Sequence, residues 1–218
     1  MNILIAAATD AEIAPLNAYF QKASLPGSLT GGVIITGVGM LNTTFELTKH
    51  LQTNRYDLVL QVGVAGSYVE SIKPGDVVFV TSDRYGDLGA EDHDDYLDIF
   101  EMGLINPNVS PFINGTLLTP LLPLHNRIKL PQVTGLTVNT VSGNERTVKR
   151  RKDKFHCDVE TMEGVALHYV CLRERVAFAQ VRAISNYVTP RDKSQWQMKD
   201  AIINLNKWLI DFMNVLAY

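Results

Sequence analysis

Short apolar runs without polar alternation recur along the chain: Ile3 to Ala8, Val33 to Ile35, Asp57 to Gly63, Val77 to Val80, Gly135 to Val141 and Ala177 to Ile184. Runs of this length and kind predict strands covered on both faces. Between them the period changes. Ile13, Leu16, Ala18 and Phe20 give a helical stripe from Asp10 to about Lys22, broken early by Pro15. Phe45, Leu47 and Leu51 share a second helix face, and Met162 to Arg173 reads as a third helix. From about Gln195 to Leu216, apolar residues from Trp196 to Met213 return every three or four positions, the mark of an amphipathic helix packed on a sheet. Strand and helix alternate throughout, which predicts a three-layer α/β fold. Gly63-Val-Ala-Gly66 is expected to be a turn that ends the third strand, and Pro74-Gly75-Asp76 a turn before the fourth.

One stretch interrupts the alternation. From Arg84 to Asn108 the chain is rich in acid and glycine, with 8 Asp or Glu among residues 83–101, and is expected to be a solvated excursion. A basic helix, TVKRRKDKF, follows later.

Composition narrows the possible partners. Lys and Arg number 20 against 23 Asp and Glu, a formal charge of -3, so no bulk field draws this chain to nucleic acid. Two cysteines, without metal-ligand spacing or a C-x-x-C pair, indicate ordinary thiols of a reducing compartment. The N-terminus lacks the basic region of a signal peptide, and no apolar stretch is long enough to span a bilayer. The expectation is a cytoplasmic protein whose 218 residues form one domain, 1–218.

In an open α/β sheet, ligands bind beyond the carboxyl ends of the strands. Read in order, those ends carry Asp10 and Glu12, Gly37-Val-Gly39, Gly63-Val-Ala-Gly66, Ser142-Gly-Asn144 and Ser185-Asn186. The set offers acids, a neutral amide and small residues that let backbone approach a ligand. It contains no phosphate-loop lysine, and Gly37-x-Gly39 lacks the third glycine of a dinucleotide site. G-x-S-x-G is absent. His50 on a helix face, His93 in the acidic stretch, and His156 and His168 near helix ends read as structural or solvated.

Taken together, T-D-A-E-I after the first strand, the G-V-G-x-x-N turn, D-L-V-L-Q-V-G-V-A-G, P-G-D-V-V, V-E-T-M-E-G and R-A-I-S-N stand in the order found in the nucleoside phosphorylase/nucleosidase superfamily, which the chain resembles over nearly its whole length. That resemblance implies a central mixed, twisted sheet in an α/β/α sandwich, no cofactor or metal, a purine nucleoside as ligand, and a homodimer or larger assembly. Within the superfamily the run YGDLGAED…YLDIFEMGL is similar to the futalosine hydrolases, with the methylthioadenosine/S-adenosylhomocysteine nucleosidases as further relatives.

The resemblance implies roles for particular residues. Glu12 matches the acid that activates water at the anomeric carbon, Glu163 the carboxylate that accepts from ribose hydroxyls, and Met162 a contact on the sugar face. Ala65 and Gly66 place main chain against the purine. Asn186 stands where adenine-cleaving relatives carry aspartate, and an amide there suits a 6-oxopurine such as hypoxanthine. Glu160 is less well matched, because Thr161 is an extra residue in this segment. Arg146 and Thr147 fall where relatives have an aromatic and an aliphatic residue at the base. Arg146 is a candidate either to lie on the purine or to reach a substrate carboxylate, and Arg191 is a second candidate for that carboxylate. The first loop offers no arginine for phosphate, leaving Arg84 near the fourth strand, so water is favoured as the acceptor over phosphate.

Overall fold

The computed structural model describes residues 1–22, 26–93, 95–120 and 122–217. Its elements run β1 (Asn2–Ala7), α1 (Asp10–Phe20), β2 (Thr30–Ile35), α2 (Met40–Thr53), β3 (Leu58–Ser67), β4 (Val77–Tyr85), β5 (Gly89–Asp92), β6 (Asp95–Asp98), β7 (Leu117–Leu118), β8 (Gln132–Thr137), α3 (Glu145–Phe155), β9 (Val159–Thr161), α4 (Gly164–Glu174), β10 (Phe178–Tyr187) and α5 (Met198–Leu216).

The central sheet is mixed, as expected. Strands β2, β1, β3 and β10 lie parallel in that order, and β4 joins β10 antiparallel. Beyond β4 the sheet curls. β8 runs parallel to β4 and to β9, while β9 returns to pair antiparallel with β3. Strands β3, β10, β4, β8 and β9 therefore form a closed ring, with β1 and β2 as a flange.

In β1 the lack of alternation is explained by helices on both faces, whereas β2, at the sheet edge, is largely exposed and departs from the expectation. Ile3 and Ile5 of β1 point into a cluster with Ile13 and Leu16 of α1 and with Leu205, Leu209 and Phe212 of α5. Leu4 and Ala6 point the other way, against Leu47 and Leu51 of α2 and Leu167 and Val170 of α4. Each of the Ile, Leu, Val and Phe side chains among these contributes roughly 1.5–3 kcal/mol when fully buried. An amide ties the outer pair together: Asn206 of α5, fully buried, donates from Nδ2 to the Glu12 carbonyl at 2.8 Å and accepts at Oδ1 from the Leu16 N–H at 3.1 Å. The amide spans the turn of α1 in which Pro15 offers no N–H.

Several boundaries differ from the sequence reading. Gly63 to Gly66 is not a turn, because β3 continues through it to Ser67. The expected strand Gly135 to Val141 ends at Thr137, and β9 left no apolar pattern because it is three residues long. Helix α4 begins at Gly164, so Met162 and Glu163 precede it, and His168 lies inside the helix rather than at its end.

The acidic excursion is also corrected: much of it is ordered and paired rather than solvated. It carries the antiparallel hairpin β5–β6. Asp87 accepts from Asn139 N and Thr140 N, and pairs with Arg151 of α3 at 3.3 Å. Glu91 pairs with Arg150 and Glu101 with Lys154, so the acidic segment and the basic helix neutralise each other. Asp83 is wholly buried.

Candidate active site

A cavity of about 470 Å³ opens at the carboxyl ends of β1, β3 and β10. Its position follows from the topology, since parallel neighbours end together there. The structure brings Glu12, Ala65, Gly66, Met162, Glu163, Asn186 and Arg191 to its wall. Arg146 and Thr147 are not among the residues that line it. They lie in the first turn of α3, where the Thr147 N–H donates to the capping Oδ1 of Asn144 at 2.9 Å.

Glu12 sits in the first turn of α1 and is nearly buried. One carboxylate oxygen accepts from the Thr9 N–H and the Thr9 hydroxyl, each at 3.0 Å, and the other from the Val64 N–H at 3.0 Å. Three donors from two elements fix its rotamer. Gly63 makes this possible: a Cβ there would lie 2.7 Å from Glu12 Oε1 and 2.4 Å from Arg182 Nη1.

Glu163 enters from the residue before α4. Its Oε1 accepts from the Gly39 N–H at 3.0 Å, at the start of α2, and its Oε2 lies 3.6 Å from Arg182 Nη1. Burial pushes its carboxyl above the usual range, the Arg182 guanidinium and the Gly39 N–H oppose that rise, and the Glu12 charge adds to it. The two acids therefore feel one another, with a buried cation beside them. Arg182 is fully buried and also donates from Nη2 to Gln61 Oε1 at 2.6 Å.

Asn186 is presented by an irregularity. Between Ile184 and Asn186 the register of β10 against β3 slips by one residue, leaving Ser185 extra. A bulge re-aims the side chain that follows it. Asn186 Oδ1 accepts from Ser185 Oγ at 2.7 Å and Nδ2 donates to the Tyr187 carbonyl at 2.8 Å, so a second amide hydrogen remains for a ligand. Gly66 opposite has no room for a side chain, since a Cβ would meet Val188 Cγ2 at 2.7 Å.

Sequence reasoning left two residues of this site unassigned and a third doubtful. Arg182 had a readable signal, a charge inside an otherwise apolar run, where burial demands a partner. Trp196 lines the cavity, though its spacing reads as part of the helix stripe. Glu160 of β9, doubtful by sequence, also lines it and is firmly held. Its carboxylate accepts from Ser142 N at 2.8 Å, Ser142 Oγ at 2.6 Å, Tyr68 OH at 2.5 Å and Arg151 Nη1 at 3.2 Å. Burial and the Glu160 charge hold the Tyr68 phenol protonated, so it remains a donor. Among the described residues, no group of three or more His, Cys, Asp or Glu is placed to hold a metal ion, and no helix is long and apolar enough to cross a membrane.

Two buried acids thus lie near the buried Arg182, and Asn186 follows that arginine on the same strand. The model of the phosphorylase superfamily matches residues 27–217, and the chain belongs to that superfamily. Among its relatives is a protein of Thermus thermophilus named futalosine hydrolase, 30% identical over 79% of this chain and 77% of that protein. A futalosine hydrolase of Acidothermus cellulolyticus is 27% identical over 84% of this chain and 75% of that protein. The fold is shared with a 5′-methylthioadenosine/S-adenosylhomocysteine nucleosidase of Colwellia psychrerythraea solved with adenine, at a TM-score of 0.80 and 17% identity, covering 98% of this chain and 94% of that one.

Proposed function

We propose that the protein hydrolyses the N-ribosidic bond of futalosine, releasing hypoxanthine and dehypoxanthine futalosine for the alternative menaquinone route. The observation that carries this reading is the pairing of Glu12 and Glu163 at one part of the cavity wall with an asparagine, not an aspartate, at position 186. The names of the relatives agree with it.

In this reading Glu12 takes a proton from water as the water oxygen bonds to the anomeric carbon. The electrons of the broken C–N bond leave with the purine, whose N7 accepts a hydrogen bond from Asn186. Glu163 accepts from the ribose hydroxyls, Met162 packs on the sugar, and the main chain of Ala65 and Gly66 borders the base. A departing sugar with oxocarbenium character is favoured by two nearby carboxylates. Water is preferred to phosphate because Arg84 is held elsewhere, 3.9 Å from Asp98 and 5.1 Å over the Phe155 ring, and does not line the cavity. The chain acts as a single cytoplasmic domain that assembles with itself. The exposed apolar residues Leu41 and Phe45 of α2, beside Val38 at the cavity rim, supply a face for that pairing.

The test is release of free base from futalosine, inosine and methylthioadenosine, each with and without phosphate. Phosphate-independent hypoxanthine from futalosine is expected. Adenine from methylthioadenosine as the main product, or turnover that requires phosphate, overturns the reading.

A further inference from the structure

We propose that Arg191 determines base specificity, its guanidinium donating to O6 of a 6-oxopurine whose N7 is held by Asn186. The inference rests on the cleavage reading above and adds to it the residue that selects the base.

A side lobe of about 60 Å³ adjoins the cavity, and Asn186, Arg191, Trp196, Ser142 and Glu160 line it, whereas Glu12, Met162 and Glu163 do not. If the reacting carbon lies by the acids, the base extends toward this lobe. Trp196 gives it an aromatic wall, and the Arg191 guanidinium sits 5.7 Å from the centre of the Trp196 ring. The Arg191 backbone is anchored by its N–H to the Gly143 carbonyl at 3.1 Å. Among the described residues no carboxylate pairs with the guanidinium, and its neighbour Asp192 is turned to Ser194 and Gln195 instead.

The chemistry of the base edge makes the choice. Hypoxanthine shares with guanine two adjacent acceptors, N7 and O6, while adenine presents an acceptor at N7 and a donor at N6. Asn186, oriented by Ser185 and the Tyr187 carbonyl, offers a donor, and arginine has donors only. Arg191 next to Asn186 therefore matches the 6-oxo edge and opposes the 6-amino edge. The same placement argues against Arg191 as the partner of a substrate carboxylate, which would sit at the far, 5′ end of the nucleoside.

Arg191 is exposed, so substitution leaves the core untouched. The experiment compares kcat/KM for inosine, adenosine, futalosine and the 6-amino counterpart of futalosine in wild type, Arg191→Met and Arg191→Lys. The 6-oxo to 6-amino ratio is expected to fall by about tenfold or more in Arg191→Met, for the short and the long nucleoside alike, and to recover partly in Arg191→Lys. A loss confined to futalosine, with inosine spared, assigns Arg191 to the carboxylate and overturns the proposal, as does an equal loss on oxo and amino substrates. Wild-type enzyme that cleaves neither 6-oxopurine nucleoside overturns the cleavage reading itself, before any variant is compared.

Discussion

Glu12 illustrates how far a single side chain is committed by its neighbours. Its side chain accepts three hydrogen bonds, from Thr9 N, Thr9 Oγ1 and Val64 N. Glu12→Gln keeps the shape, turns one end of the group into a donor facing donors and removes the proposed base. Hypoxanthine release is expected to fall about 100- to 10,000-fold, while nucleoside binding measured by calorimetry persists. Full activity would remove Glu12 from the chemistry. At Gly66 the constraint is space: Gly66→Ala drives a methyl against Val188 and is expected to lower the unfolding free energy by about 1–3 kcal/mol, with Val188→Ala restoring much of it in urea titrations. At this scale the sequence was most informative where a residue fell in a motif shared with the superfamily, as with Glu12 and Asn186. It was least informative where the partner came from far away. Nothing local to Glu160 announces four donors from Ser142, Tyr68 and Arg151, and nothing local to Arg146 says that it stands outside the cavity lining.

Helices were legible through their periodicity, strands less so. Helix α5 stands close to its expected limits because Leu205, Leu209, Phe212 and Met213 all face one cluster. Strand β3 was read too short because glycines at its end look like a turn, when Gly63 makes room for Glu12 and Arg182 and Gly66 for Val188. Asn206, in the middle of the buried face of α5, looks like a flaw in the apolar stripe. Its amide is instead the link that holds the Glu12 carbonyl and the Leu16 N–H. Asn206→Ala leaves both groups without that partner and is expected to cost about 2–4 kcal/mol in unfolding free energy. Because the turn it supports carries Glu12, kcat should fall several-fold in the folded enzyme with KM little changed. A stability loss with kcat intact would show that the link serves packing alone.

For the molecule as a whole, the small net charge conceals a pairing of opposites, the acidic segment against α3, and two buried titrating groups of opposite tendency. Burial pushes Asp83 up from 3.8 to about 7, against the pull of Thr137 and Arg182. Burial pulls His168, bonded to the Gly164 carbonyl and Thr119, down from 6.5 to about 4. A group whose pKa is raised on folding contributes stability that is whole below its unfolded value, 3.8, and is lost as pH rises through about 7. His168 does the reverse: its contribution is present above 6.5 and lost as pH falls through about 4. The two slopes oppose one another across the same interval. Asp83→Asn removes the first and leaves the second, so stability should climb with pH more steeply between about 4.5 and 6.5 than in the wild type. Urea titrations at a series of pH values measure this, and an unchanged slope would falsify the assignment.

The closed ring of strands also sets an order in time. Its seam is β3 against β10, where Gln61 and Arg182, hydrogen-bonded to one another, stand 121 residues apart in the chain. Contacts this distant form only after the entropy of closing a long loop has been overcome. In chain order Glu12 comes long before Arg182 and Asn186. Arg182 and Asn186 are carried by one strand, so the buried cation and the amide are expected to take their places together, when β10 pairs with β3.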